Sequence, residues 1–267
     1  MKRSLVLIAA LYLSGCAVFG DPTEVDETKG WSVQKINSAA EERMRDRDYE
    51  KAIKLYQTLE SRYPHGRYAL QAELEIAYAY YKKGDAAAAM AAADRFIKLH
   101  PHHPNVDYIY YLKGLATFNE RGIVERLTAQ DISDRDPKAL RESFGAFKEL
   151  VTRYPESKYA KDATLRMTYL VNTLSQYELH VARYYMKRQA YVAALNRCKF
   201  VIENYPQTPA VEEALVIMVS AYDLLDMDDL KQDTLRLLKT NYPDSRFNTT
   251  GVPDDKRVWW KFWESLW

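Results

Sequence analysis

Glycine and proline, the residues that most often interrupt helices, are scarce in this chain: 9 Gly and 10 Pro occur among 267 residues. Runs of alternating β-branched residues, which predict strands, are also missing. Alanine, leucine, lysine, arginine and glutamate are plentiful, and these residues favour long helices. We therefore predict an all-α fold.

An excess of charge of one sign is missing as well. The 38 basic and 37 acidic residues give a formal net charge of +1, so we expect no nucleic-acid partner. The chain also lacks a G-x-S-x-G motif and a glycine-rich phosphate loop. We expect no enzyme activity and no cofactor, and an enzyme that uses helical repeats for recruitment is the weaker alternative.

Metal and thiol chemistry have little support in the sequence. His100, His102 and His103 cluster in a turn, but no cysteine or carboxylate stands at ligand spacing. Exposed imidazoles are therefore expected there, and no metal site. One of the 2 cysteines, Cys198, lies among apolar residues at helical spacing and is predicted to be a buried structural thiol.

A short phrase recurs along the chain. TRYPESKYA at residues 152–160 repeats SRYPHGRYA at residues 61–69, and weaker copies surround three further prolines. The prolines of these phrases are separated by 37, 54, 51 and 37 residues: Pro64, Pro101, Pro155, Pro206 and Pro243. Because proline ends helices and a recurring unit marks a repeat protein, each unit is predicted to be a helical hairpin.

Small and aromatic residues keep a constant phase within these units, which resembles the tetratricopeptide (TPR) pattern. Alanine stands twelve residues before three of the prolines, and tyrosine stands twenty-one before three: Ala52, Ala89 and Ala194, then Tyr80, Tyr185 and Tyr222. A small residue lets two helices approach, and an aromatic ring fills the gap. We predict a TPR solenoid of about five helical hairpins over residues 32–243.

Two repeats depart from the pattern. In the third, Gly114 is the small residue of the first helix, and an insert lies near residues 118–136. Asp136-Pro137 then predicts the restart of a helix, since aspartate caps helices and proline favours their first position. In the fourth repeat no Gly or Pro occurs from Lys158 to Leu195, which predicts a longer first helix.

The N-terminus has the layout of a bacterial lipoprotein. Residues 1–15 resemble a signal peptide, with two basic residues before an apolar stretch that is shorter than the roughly 20 residues of a membrane-spanning helix. The string LSGC resembles a lipobox, so Cys16 is expected to carry acyl chains such as palmitate. Ala17 after it implies sorting to the outer membrane, and residues 16–31 are predicted to be a flexible tether. An ordinary cleaved signal is the alternative.

Longer strings are similar to the BamD family, lipoproteins of the outer-membrane β-barrel assembly machinery. These strings are RYPHGRYALQ, DRFIKLHPHHPNVDYIYYLKGL, SDRDPKALRESFGAFKELVTRYPESKY and ARYYMKRQAYVAALNRC. The resemblance implies a periplasmic scaffold of five TPRs, with BamA, accessory lipoproteins and unfolded outer-membrane proteins as partners. It also implies that Arg197 docks a POTRA domain of BamA, although a solvated surface arginine is nearly as good an interpretation. A generic TPR adaptor in cell-wall or division processes is the alternative function.

Carrying the TPR phase onto the first three repeats predicts a concave aromatic groove. Its predicted lining is Asn37, Glu41, Met44, Leu74, Tyr78, Tyr81, Tyr108, Tyr111, Leu115 and Phe118. Tyrosine offers a rigid apolar face and a hydroxyl, which suits an extended or helical peptide. We expect about half of these tyrosines to pack between helices instead. The resemblance implies that this half of the protein takes client peptides or an extended accessory lipoprotein.

The tail at residues 244–267 holds 4 of the 5 tryptophans. Trp259, Phe262, Trp263, Leu266 and Trp267 share one helical face, and Trp260 adjoins them. Such an apolar face needs a cover. Capping of the last repeat, docking on a partner and insertion among lipid headgroups all remain open, and docking on a partner is the preferred functional interpretation.

Overall fold

The computed structural model of the protein describes residues 27–118 and 137–250, and the regular secondary structure of these ranges is helical throughout. Ten helices form five hairpins: α1 (Val33–Arg45) with α2 (Tyr49–Arg62), α3 (Arg67–Lys83) with α4 (Ala86–Leu99), α5 (Val106–Thr117) with α6 (Pro137–Arg153), α7 (Ala160–Lys187) with α8 (Tyr191–Asn204), and α9 (Ala210–Leu224) with α10 (Asp228–Asn241). A single turn, α11 (Phe247–Thr250), follows. The prediction of an all-α TPR solenoid is confirmed.

The hairpins stack in chain order. Each of the first nine helices packs on the next one along the chain. First helices of neighbouring hairpins also contact one another, α1 with α3, α3 with α5 and α7 with α9. The first helices therefore share one face of the stack, which in a solenoid is the face that binds ligands.

Aspartate begins the second helix in the first two hairpins. The Oδ1 atom of Asp48 accepts a hydrogen bond from the backbone N–H of Lys51 at 3.3 Å, and Asp85 accepts one from Ala88 at 3.0 Å. Each bond satisfies a backbone donor that has no partner within the helix. The chain therefore marks the start of α2 and of α4 with the same local signal.

A left-handed residue joins the two helices in four of the hairpins. Arg47, Gly84, Gln189 and Asp226 have φ angles of 61°, 84°, 60° and 53°. Each of them stands seventeen residues before the proline of its repeat. The repeat thus fixes the backbone of the turn, although only the second hairpin uses glycine, which adopts this conformation without steric cost.

Alanine sets the close approach of the helices within hairpins. Ala52, Ala89 and Ala194 are at most 1% exposed, in agreement with the TPR phase. The core of the first hairpin places Tyr56 and Leu59 beside Ala52, and both are fully buried. Small residues and large rings therefore alternate at the helix contacts, as the repeat pattern requires.

The third hairpin replaces alanine by glycine at its tightest contact. A Cβ atom on Gly114 of α5 would lie 2.4 Å from the Phe147 ring of α6. The Ser143 hydroxyl of α6 also donates a hydrogen bond to the Gly114 carbonyl oxygen at 2.9 Å. Helix α6 begins at Pro137, as predicted, whereas Asp136 and most of the insert lie outside the described residues. Gly114 is thus required by packing.

The fourth hairpin has the long first helix that the sequence predicts. Helix α7 contains 28 residues and packs on α6, α8 and α9. Cys198 of α8 lies in this core with no exposure, and burial raises the pKa of its thiol, which confirms the prediction of a structural cysteine. Even α7 is not apolar enough to cross a membrane, and neither is any other helix in the described ranges.

A candidate peptide cleft and a candidate partner surface

A cleft opens on the face shared by the first helices, between the second and third hairpins. Its volume is about 610 Å³. Its lining comes from α3, from the start of α5 and from the turn before α7: Leu74, Glu75, Tyr78, Pro104, Asn105, Asp107, Tyr108, Glu156, Ser157, Lys158 and Tyr159. Three of the predicted groove residues, Leu74, Tyr78 and Tyr108, therefore meet at one cavity.

Tyrosine rings form the apolar wall of this cleft. The rings of Tyr108 and Tyr159 lie 5.6 Å apart, and Tyr159 stacks on Tyr111 at 4.8 Å with an angle of 16° between planes. On α3, the Tyr78 and Tyr81 rings lie 6.3 Å apart. All five tyrosines are half-buried, and three of them line the cleft: Tyr78, Tyr108 and Tyr159. Such rings bind apolar groups with little loss of entropy, because they are already ordered.

One of these tyrosines uses its hydroxyl for a hydrogen bond within the protein. The Tyr111 hydroxyl donates a hydrogen bond to Asp162 Oδ2 at 2.6 Å, and Arg166 Nε donates to the same oxygen at 2.6 Å. Burial and the bond to Asp162 together raise the pKa of Tyr111 to about 12. Tyr111 therefore stays neutral at physiological pH, links α5 to α7 and supports the Tyr159 ring from behind the cleft lining.

Three predicted groove residues lie in or against the core. Phe118 is 7% exposed and packs on Phe147 and Tyr169, so its assignment to the open groove is corrected. Met44 packs against the core of the first hairpin, and Leu115 packs against that of the third. The groove is therefore narrower than the TPR phase predicts.

The polar residues at the start of the predicted groove bind each other. Asn37 is buried, and its side-chain amide donates a hydrogen bond to Glu41 Oε1 at 2.7 Å. The Asn37 Oδ1 atom is buried and has no hydrogen-bond partner among the described residues, and neither Asn37 nor Glu41 lines the cleft. The first hairpin thus contributes structure to this face, and the cleft begins at α3.

Carboxylates surround the tyrosine wall. The cleft lining includes Glu75, Asp107 and Glu156 but only one basic residue, Lys158. Asp107 accepts a hydrogen bond from the Ser157 hydroxyl at 2.6 Å and another from the Tyr108 backbone N–H at 2.8 Å. Burial, with a smaller effect of the nearby Glu41 charge, raises the pKa of Glu75. The cleft lining therefore has an excess of acidic residues as well as aromatic rings.

Tyr159 and Glu75 are members of the cleft that the sequence reasoning missed. A signal for Tyr159 was present, because it is the second tyrosine of TRYPESKYA and follows the repeat proline by four residues. The TPR phase was applied only to the first helices, and Tyr159 stands in the turn that precedes α7. Glu75 gave no signal, because an isolated glutamate on a helix is normally solvated.

The histidine turn is more ordered than expected. His100 Nε2 lies 3.0 Å from Glu73 Oε2, and the rings of His100 and His103 pack on Phe96 at 5.1 and 5.2 Å. Only His102 is exposed, so the expectation of three exposed imidazoles is corrected. Within residues 27–118 and 137–250, no group of three or more His, Cys, Asp or Glu residues could hold a metal ion.

Arg197 is bonded within the protein, which the sequence did not predict. Its Nη1 atom donates a hydrogen bond to Glu178 Oε2 at 3.0 Å, and Arg141 Nη2 lies 3.6 Å from Glu178 Oε1. Glu178 is 2% exposed, whereas the side chains of Arg197 and Arg141 are 43% and 51% exposed. The bond to Glu178 raises the pKa of Arg197 further above its usual range. Arg197 therefore joins α8 to α7 while 43% of its side chain stays exposed, and its role in docking remains a prediction.

Several predicted site residues lie outside the described residues. Cys16 and the predicted signal and tether up to residue 26 are among them. So are the four tryptophans of the C-terminal tail: Trp259, Trp260, Trp263 and Trp267. The anchor and the tail therefore remain predictions from the sequence.

The sequence matches a known family along most of the described solenoid. Residues 31–238 match the family YfiO, described as outer membrane lipoprotein. This chain belongs to that family. The match spans all five hairpins, including both the tyrosine cleft and Glu178 with its two arginines.

Curated relatives named outer membrane protein assembly factor BamD are similar over nearly the whole chain. The Neisseria gonorrhoeae protein is 48% identical over 266 residues, which covers 98% of this chain and 100% of that relative. The Vibrio cholerae protein is 36% identical over 225 residues, which covers 84% of this chain and 93% of that relative. The similarity to the Neisseria gonorrhoeae protein thus extends beyond the repeats, and the resemblance to the BamD family is confirmed.

A solved structure with TPR-like repeats also matches this chain. A putative kinesin light chain from Podosopora anserina with nearly identical TPR-like repeats matches with 14% identity and a TM-score of 0.32. The match covers 80% of this chain and 97% of that one. A similarity this distant supports no conclusion about ligands.

Proposed function

We propose that this chain is the lipid-anchored scaffold subunit of the machinery that assembles β-barrel proteins in the outer membrane. It holds segments of unfolded barrel proteins in the cleft of its N-terminal half and docks a POTRA domain of BamA with its C-terminal repeats. Its relatives are named for the assembly of outer membrane proteins, and they cover 98% and 84% of this chain. The protein acts through these surfaces and not through catalysis.

The observation that carries the proposal is the tyrosine-walled cleft. A volume of about 610 Å³ accommodates a few side chains of an extended peptide, not a folded domain. Strands of outer-membrane barrels alternate apolar and polar residues and carry aromatic girdles. The rings of Tyr78, Tyr108 and Tyr159 suit the aromatic residues of such a strand, and the polar lining suits the residues between them.

The C-terminal half supports the second contact. Arg141 and Arg197 both bind the buried carboxylate of Glu178, and both remain about half exposed. A guanidinium has five N–H donors, so an arginine bound on one edge retains donors for a partner's carboxylate. Accessory lipoproteins would bind elsewhere on the same solenoid, and the tryptophan tail is a further candidate contact.

Peptide binding by the cleft is tested with two substitutions. Tyr78→Ala and Tyr108→Ala are each expected to weaken binding of a synthetic barrel-strand peptide by about 1 kcal/mol or more, the loss typical of an anchoring aromatic residue. Tyr184→Ala is the matched control, because Tyr184 is 50% exposed and does not line the cleft. Fluorescence anisotropy measures affinity, and circular dichroism checks the helices. Unchanged affinity in both cleft variants with intact helices would refute this function.

Docking of BamA is tested by pull-down from detergent with paired variants. Arg197→Ala and Arg141→Ala each remove one of the two arginines on Glu178, so Arg141→Ala controls for a weakened ion pair at this carboxylate. Only Arg197→Ala is expected to lower the recovery of BamA. Arg197→Glu is a poorer test, because it places a second carboxylate beside buried Glu178 and disturbs folding. Equal recovery with both alanine variants would remove Arg197 from the proposed contact.

Anchoring is tested at Cys16. Cys16→Ser is expected to leave the precursor unprocessed or to release the protein from the outer-membrane fraction, because the acyl chains supply the membrane affinity. Cys198→Ser controls for loss of a thiol elsewhere in the chain. Normal outer-membrane fractionation of the Cys16 variant would show that another segment holds the protein there.

A further inference from the structure

The peptide cleft has an unbalanced charge that its tyrosines do not explain. Its lining contains one basic residue, Lys158, and three acidic residues: Glu75, Asp107 and Glu156. Charges at a partly desolvated site interact more strongly than charges in water, because the effective dielectric constant is lower. A ligand that enters the cleft therefore meets a negative potential as well as aromatic rings.

Glu75 lies at the centre of this imbalance. It is half-buried on α3, where it lies close to the charge of Glu41 on α1 and to the neutral phenol of Tyr108 on α5. Within residues 27–118 and 137–250, its carboxylate forms no hydrogen bond and no ion pair. Burying an ionised carboxylate without a partner is costly. A cation supplied by a ligand would offset that cost.

The tyrosine wall already holds one ammonium group. Lys158 Nζ lies 5.0 Å from the centroid of the Tyr159 ring, and both residues line the cleft. Ring faces attract cations, and the attraction grows when water is excluded. Lys158 is exposed, so it can move aside. This contact within the chain shows that the tyrosine rings can bind an ammonium group.

We propose that the cleft selects peptide segments carrying a lysine or arginine next to aromatic residues, with the cation held between the tyrosine rings and Glu75. This selectivity rests on the proposed function, since it concerns the same cleft and the same class of peptide ligand. It adds that the cleft distinguishes among segments by charge. The tyrosines supply affinity for aromatic side chains, and Glu75 supplies the preference for a basic one.

Three synthetic peptides test this inference with the full-length mature protein in detergent. Each has nine alternating polar and aromatic residues, and they differ only in a central Lys, Gln or Glu. The Lys peptide is expected to bind about tenfold more tightly than the Gln peptide, as a cation–π contact combined with an ion pair permits, and the Glu peptide more weakly than either. Added salt should reduce the advantage of Lys.

Glu75→Gln separates recognition from a structural role. The variant is expected to lose most of the preference for Lys over Gln, chiefly through weaker binding of the Lys peptide. Because burial disfavours the Glu75 carboxylate, the melting temperature should stay the same or rise. Glu203→Gln, at an exposed position on α8, is the matched control and should retain the preference.

The outcomes distinguish this inference from the function on which it rests. Equal affinities for the Lys and Gln peptides, or a preference that survives Glu75→Gln, would overturn the inference and leave peptide binding intact. A lower melting temperature together with weaker binding of all three peptides would show that Glu75 is structural, which also overturns it. If none of the three peptides binds the wild-type protein, the proposed function fails as well.

Discussion

The first helices of the second and fifth hairpins hold equivalent places in the repeat but have opposite surfaces. On α3, Leu74 and Tyr78 remain half-buried and line an open cleft. On α9, every residue from Ala214 to Tyr222 is buried, so this helix has no open side along that stretch. The same hairpin therefore serves two purposes: the N-terminal half leaves room for a ligand, and the C-terminal half fills the equivalent space with its own core.

The acidic residues of the two halves differ in the same way. Glu178 of α7 and Glu213 of α9 each bind arginine from within the protein. Glu75 of α3 has no such partner among the described residues. Both Glu75 and Glu213 have a pKa raised by burial, and only Glu213 has a nearby arginine that opposes the shift. An arginine within the fold compensates a buried carboxylate, whereas an uncompensated carboxylate beside a cleft is available to a ligand.

The largest effect on stability is expected from removing the two arginines that bind Glu178. Arg141→Ala combined with Arg197→Ala leaves Glu178 buried and unpaired, which should cost about 3 kcal/mol of unfolding free energy. Urea denaturation measures this loss. Adding Glu178→Gln should restore much of the stability, because a neutral amide needs no counter-ion. A triple variant as unstable as the double would show that the arginines act by packing alone.

A second substitution tests the junction between the halves. Gly114→Ala adds a Cβ atom that would lie 2.4 Å from the Phe147 ring, so α5 and α6 must separate. Overpacking of this kind costs about 1–3 kcal/mol, which exceeds the gain in helix propensity of about 1 kcal/mol. Thermal denaturation measures the net loss. Gly145→Ala on α6 is the control, because its Cβ would meet nothing within 4 Å; equal stability of both variants would contradict the packing argument.

A third substitution separates structure from binding within the N-terminal half. Tyr111→Phe removes the hydroxyl that donates to Asp162 but keeps the ring stacked on Tyr159. The expected loss of stability is about 1 kcal/mol, and peptide affinity should stay within about twofold of the wild type. Denaturation and anisotropy measurements on the same sample test both parts. A large loss of affinity would place the Tyr111 hydroxyl in the ligand site.

Local periodicity explains which features the sequence predicted well. The positions of the repeat prolines, the alanines at the helix contacts and the length of α7 can each be predicted from one local segment. The prolines and alanines also recur in several repeats, which strengthens their signal. Phe118 was assigned wrongly because it stands at the end of α5, where burial depends on Phe147 and Tyr169 of other helices. The pairing of Glu178 with Arg197 was missed for the same reason: it crosses from α7 to α8, and spacing along one helix carries no signal for it.

The smallest effect concerns the turns that both halves share. Gln189 stands in the turn of the fourth hairpin with φ of 60°, where Gly84 serves the second hairpin with φ of 84°. A side chain in the left-handed region costs about 1–2 kcal/mol, and glycine loses about 0.5–1 kcal/mol through its greater freedom in the unfolded chain. Gln189→Gly should therefore stabilise the protein by about 0.5–1 kcal/mol, with peptide affinity unchanged because the turn lies outside the cleft. Gly84→Gln is the reciprocal variant and should destabilise by a similar amount in urea denaturation. If both variants were destabilised, the turns of the two halves would differ in more than the residue at this position. The four left-handed residues, each seventeen positions before a proline, would then not have equivalent backbones.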